Sequence, residues 1–205
     1  ARTVMVFSPY LAPTPTLGSI VANQDIRAWG QPDYVIVAPE HMLIEAERLA
    51  QFHRDRGLTV QAVDVQHVYN EFSGGVQDLT AIKDMMRMLW SNASSPSDKP
   101  EYLLLFGDCS YDMKGRLSPN QNQIPAFQSQ ASFSLYTSFV TDDYLGFMDD
   151  NEGLQLTRKN LDLCIGRMTV NTLSEAKSVV DKVIAYSDPS QSLGDWRKKV
   201  LFVSD

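Results

Sequence analysis

The chain is short of several things, and each shortage closes a class of function. No apolar run approaches the roughly 20 residues that a membrane-crossing helix requires. There are only two cysteines, Cys109 and Cys164, too few for a disulfide framework, and their number alone does not reveal a redox compartment. Positive charge is in deficit: 18 Lys and Arg stand against 25 Asp and Glu, a net charge of -7. No basic stripe is present, which argues against a nucleic-acid partner. His-Glu-x-x-His, Cys-x-x-Cys and Gly-x-Ser-x-Gly are missing, as are a glycine loop to cradle phosphate, an internal repeat and any low-complexity array. The chain opens at Ala1 with no signal-peptide pattern and stops at Asp205, directly after an apolar run. Both ends read as cuts, so the expectation is a piece of a longer protein.

What is present belongs to a globular protein: 205 residues, 43% hydrophobic and 10% aromatic. That length buries a sizeable core as one domain with a tail, or as one domain plus part of another. The informative stretch is Tyr102-Leu103-Leu104-Leu105-Phe106-Gly107-Asp108. A short apolar run between polar flanks suits a strand covered on both faces, as in a parallel sheet wrapped by helices. Ligands of open α/β sheets collect beyond the carboxyl ends of the strands. Gly107 would let the backbone turn there, leaving Asp108 at the rim. Asp108 then either serves a site or simply caps its own loop, which is ordinary turn chemistry.

The rest of the chain fits that frame. Residues 1–32 read as a connector or the end of a preceding domain, with Thr3–Phe7 a strand candidate and Pro9, Pro13, Pro15, Gly18, Gly30 and Pro32 breaking any period. Tyr34–Ala38 is a β-branched strand. Pro39 leads into a helix over 41–56 that Gly57 terminates. Leu58–Asp64 alternates like a second strand, and Val68–Phe72 offers one helical turn. Asp78 caps a helix whose stripe is Ala81 (or Leu79), Ile82, Met85, Met86, Leu89 and Trp90. Residues 110–140 form a long polar loop of a kind that is usually functional or mobile, with a short strand within 133–140. Leu161–Arg167 is the next strand, in which Cys164 reads as a small core residue. Thr172-Leu173-Ser174-Glu175 is a capping box opening another helix, and Val200–Val203 is a last buried strand. Alternating strands and helices predict an α/β fold, a three-layer parallel sheet flanked by helices.

Two constellations could carry chemistry. Asp142, Asp143, Asp149, Asp150 and Glu152 crowd into eleven positions, and Asp108 and Asp162 could approach from strand ends. Such carboxylates repel unless water or a cation separates them. They are either a solvated acidic turn, a Ca²⁺ site built from hard oxygens, or a Mg²⁺ pocket of receiver-domain type centred on Asp108. The spacing is not an EF-hand: with Asp149 as position one, the fifth residue is Gly153 and the twelfth Asn160. For nucleophilic catalysis there are Cys109 and His41, both at carboxyl ends of strands, while His53 reads as a core histidine.

Blocks of the sequence resemble the gingipain-like C25 cysteine peptidases. They are Leu104-Leu105-Phe106-Gly107-Asp108, Thr141-Asp142-Asp143-Tyr144, Leu161 through Arg167, and Val183-Ile184-Ala185-Tyr186. Asn23–Ile26, Tyr34–Val37, Asn70-Glu71-Phe72, Leu104–Asp112 and Asp149–Gly153 are similar to the branch of that family acting as a sortase in type IX secretion. The resemblance implies a caspase-like fold in which 33–205 is the first subdomain of the peptidase domain. The catalytic His and Cys would come from a second subdomain beyond Asp205, and Cys109 does not match the family nucleophile. It further implies a protein on the outer face of the outer membrane that removes C-terminal signals from secreted cargo and attaches that cargo to the cell surface. Its implied partners are the downstream catalytic subdomain, the cargo and other type IX components. The family's structural Ca²⁺ site would correspond to Asp108, Asp149 or Asp150, and Asp162, with Leu154–Asn160 inserted in that segment.

Overall fold

The computed structural model describes residues 20–131, 133–150, 152 and 160–203, together with Ser8, Tyr10, Thr14 and Gly18. The Thr3–Phe7 strand candidate and the insertion (apart from Asn160) lie outside the described residues. Among the described residues six strands form: β1 (Tyr34–Ala38), β2 (Val60–Asp64), β3 (Tyr102–Phe106), β4 (Phe127–Gln128), β5 (Val140–Thr141) and β6 (Cys164–Met168). Four of them make one parallel sheet in the order β2-β1-β3-β6, and β4 pairs antiparallel with β5. The register aligns Ile36 with Ala62 and Leu104, and Leu104 with Gly166.

Side chains alternate across a strand, so each strand feeds two cores. Val35, Val37, Val63, Leu103 and Leu105 face α2 (Val65–Phe72) and α3 (Leu79–Asn92). Ile36, Ala38, Val60, Leu104 and Phe106 face α1 (Leu43–Arg54) and α4 (Leu173–Ser187). Leu103, Leu104, Leu105 and Phe106 are all buried, each stabilising the fold by about 1.5–3 kcal/mol. The interior position expected for this stretch is the observed one.

Several local expectations change. The single turn at Val68–Phe72 is an eight-residue helix, because the Asp64 carboxylate accepts the Gln66 N–H at 3.0 Å and caps it from the end of β2. The connector is not loose up to residue 32. Ile26 is 2% exposed, and its N–H donates to Glu71 Oε1 at 2.8 Å. Gln24 reaches the same carboxylate, and Arg27 lies over the Phe72 ring. Within 133–140 the only residue in a strand is Val140, and Phe133, Leu135 and Tyr136 stand in solvent. Cys164 is exposed rather than core, since β6 is the outer strand and α4 leaves its first residues uncovered.

Val200–Val203 is not a buried strand; all four residues are at least 75% exposed. The hand of the connections gives a reason. α1 carries the chain from β1 to β2 over one face, and α2 and α3 bring it back to β3 over the other. Between β3 and β6, Ile124, Tyr144, Leu145 and Met148 are buried on that second face. α4 returns to the α1 face, so a parallel strand added on the free side of β6 would need a left-handed crossover, which such units avoid. Among the described residues no helix is long and apolar enough to cross a membrane.

Candidate functional site

β1, β3 and β6 point their carboxyl ends at one rim. There the chain runs from β1 into His41, from β3 into Gly107-Asp108-Cys109, and from β6 into Asn171. The Asp108 N–H donates to Val170 O at 3.0 Å, and its carbonyl accepts Gln123 and Ile124 N–H at 2.9 and 3.1 Å. Its side chain accepts from Cys109 N at 2.9 Å and from Asn171 Nδ2 at 3.2 Å. Asp108 thus fastens three segments at the rim, the loop-organising role that turn chemistry allows. Gly107 has no left-handed φ. Its smallness serves close packing, because a Cβ there would sit 2.9 Å from Gln123 Cβ.

The strongest feature of this rim is Arg167, whose side chain is 8% exposed. Its Nε and Nη2 donate to the two oxygens of Asp142 at 2.9 and 2.7 Å. The remaining donors reach Gly107 O at 2.9 Å, Ile124 O at 2.8 Å and Pro125 O at 3.2 Å. A guanidinium presents five N–H groups in a fixed fork, and here they bind the 107–126 loop and the 140–146 segment to the end of β6. Sequence reading passed over Arg167 because it stood at the end of a strand motif. A charged residue at the end of a run predicted to be buried was the available signal.

Cys109 and His41 share the rim but not a hydrogen bond among the described residues. The His41 ring lies 3.2 Å from Asn171 O. Burial pushes the Cys109 thiol above its ordinary value, with Arg167 opposing and Asp142 and Asp108 adding, so the nucleophilic thiolate is disfavoured. The pair lacks the geometry of an activated nucleophile.

The acidic residues disperse. Asp142 belongs to Arg167, and Asp150 pairs with Arg87 on the surface. Asp149 is exposed. Asp162 precedes β6, where its carboxylate accepts Met148 N–H at 2.7 Å and its N–H donates to Gly146 O at 2.9 Å. Asp108 follows β3, which is parallel to β6 and in register with it. A five-residue strand rises about 17 Å, so Asp108 and Asp162 occupy opposite edges of the sheet. The four carboxylates Asp108, Asp149, Asp150 and Asp162, expected from the resemblance to meet at one Ca²⁺ site, are thus spread between the two edges of the sheet and its surface. No group of three or more His, Cys, Asp or Glu among the described residues could hold a metal ion.

A cation does enter the acidic segment: Lys83, a residue only 5% exposed. Its Nζ donates to Tyr144 O at 2.9 Å and reaches Glu152 O at 3.4 Å, and it lies 4.1 Å from the Tyr144 ring centre. Sequence gave one hint of it, a lysine directly beside the apolar stripe of α3.

At the opposite, amino edge, Tyr34, His53, Leu58, Tyr102, Cys164 and Gly166 line a groove of about 420 Å³. His53 stands edge-on to Tyr34 and Phe52 at 5.1 and 5.2 Å. Burial pulls its pKa down, with Arg56 adding to the effect. It is a packing histidine, as expected, though only partly buried.

The model of peptidase family C25 matches residues 27–205. The crystal structure of dimeric latent PorU from Porphyromonas gingivalis is similar at 34% sequence identity and a TM-score of 0.73, over 88% of this chain and 18% of that one. The chain thus spans less than a fifth of that relative. No curated protein matches.

Proposed function

Because the chain belongs to peptidase family C25, we propose that it is the supporting first subdomain of a sortase that removes C-terminal signals from type IX secretion cargo and joins that cargo to the cell surface. The observation that carries this reading is the likeness to PorU over nearly the whole chain. It is supported by a carboxyl rim on which Arg167 organises two long segments. On this reading the reacting Cys and His are contributed by a downstream subdomain, and the 107–126 and 140–146 segments form the wall against which that subdomain closes. The partners are the downstream subdomain, secreted cargo and other type IX components, at the outer face of the outer membrane.

The test compares the 205-residue chain with the reading frame that contains it. Cargo bearing its C-terminal signal should be cleaved by the longer protein and spared by the shorter one, and iodoacetamide should abolish the cleavage. Thiol-dependent cleavage by the 205-residue chain itself, lost in Cys109→Ala, would overturn the supporting role. A longer protein that leaves the signal intact would overturn the sortase reading.

A further inference from the structure

We propose that the counter-cation of the acidic 142–150 segment is the protein's own Lys83 ammonium, assisted by Arg87, and that this segment is ordered without a divalent metal ion. Lys83 and Arg87 are four residues apart on α3, so they project from one helix face. Arg87 meets the Asp150 carboxylate at the surface. Lys83 passes beneath, where carbonyl oxygens of Tyr144 and Glu152 and the face of the Tyr144 ring surround its nitrogen.

That environment is the chemistry of a cation seat. Backbone carbonyls are ligands a Ca²⁺ ion would also use, and an ammonium has donors only, so acceptors alone can satisfy it. The ring face adds the attraction of its quadrupole for a cation. Burial, and then Arg87, pull the Lys83 pKa below its ordinary value, and the negative charges of Glu152, Asp84 and Asp162 oppose that pull in favour of the charged form. Tyr144 in turn stacks on Phe127, 4.8 Å between centres, so the seat is tied to the base of the β4–β5 pair.

The segment crosses the sheet face from Asp142 at the carboxyl edge to Met148, held by Asp162 at the amino edge. A buried positive group midway replaces the ion that so acidic a stretch suggests. This inference stands apart from the sortase reading, since it concerns how one segment is held.

Thermal unfolding of the 205-residue chain in millimolar CaCl₂ and in chelator tests it, with hydrogen exchange across 143–150 in wild type and Lys83→Met. The wild-type midpoint should be the same in both solutions. Lys83→Met should speed exchange at 143–150 well beyond any change in α1 and α4. Two results would each overturn the proposal: a midpoint raised by Ca²⁺ by more than about 3 °C, about 1 kcal/mol for a domain of this size, or unchanged protection at 143–150 in the variant. Should Lys83→Met not fold, the calcium comparison on wild type still decides, and Arg87→Met supplies the exchange measurement from the exposed partner.

Discussion

Arg167 and Asp142 face each other through two parallel charge-assisted hydrogen bonds, Nε to Oδ2 at 2.9 Å and Nη2 to Oδ1 at 2.7 Å. The arginine side chain is 8% exposed and the aspartate 23%, so solvent screens the pair little. Three backbone carbonyls from two other segments complete the guanidinium's partners.

Replacing Arg167 with Met should therefore cost about 3–5 kcal/mol, the range for breaking a buried pair and stranding its partner. Arg167→Lys should recover only a fraction, because an ammonium cannot match the planar fork. Urea denaturation of the two variants measures this; equal stability of Arg167→Lys and wild type would show that the fork geometry is unimportant.

Ile26 is the plug by which the preceding segment joins the body. Ile26→Ala should lower stability by about 2–5 kcal/mol, as for other buried large-to-small changes. Glu71→Gln should cost less, since an amide oxygen still accepts from Ile26 N–H. Limited proteolysis near residues 20–30 should accelerate in Ile26→Ala; an unchanged cleavage rate would mean that the contact does not hold the segment.

His53 gives stability a slope on the acid side. Its folded pKa lies below the ordinary histidine value because burial disfavours the imidazolium. The unfolded chain thus binds the proton more readily, and this contribution to stability is complete above the unfolded pKa near 6.5 and is lost as pH falls below it. His53→Phe, which keeps a ring between Tyr34 and Phe52, should flatten the dependence of the midpoint between about pH 5 and 7. A profile parallel to wild type would assign the slope to other groups.

The two thiols should react at different rates. Cys164 is exposed on the outer strand, whereas Cys109 is half-buried with its thiol pushed up. Iodoacetamide at pH 8, followed by peptide mass mapping, should label Cys164 first and Cys109 slowly. Preferential labelling of Cys109 would contradict the picture of an inert rim thiol.

The sequence by itself determined the sheet's interior strands, the helices between them and the family. Apolar runs of five and stripes of period 3.6 can be buried in few ways, and the Thr172–Glu175 box closes a helix end through contacts no more than three residues apart. Those interactions are local, so their signals lie in neighbouring residues. What only the tertiary structure decided is which charges meet. Asp162 and Asp108 look like partners along the chain, yet they stand at opposite edges because β3 and β6 run parallel and in register. Arg167 reaches Asp142 across 25 residues and Lys83 reaches Tyr144 across 61, pairings set by strand order and by the face each crossover takes. Cys164 and Val200–Val203 are exposed for the same reason: an apolar stretch specifies that burial is favourable, while its place in the sheet decides whether anything lies beside it.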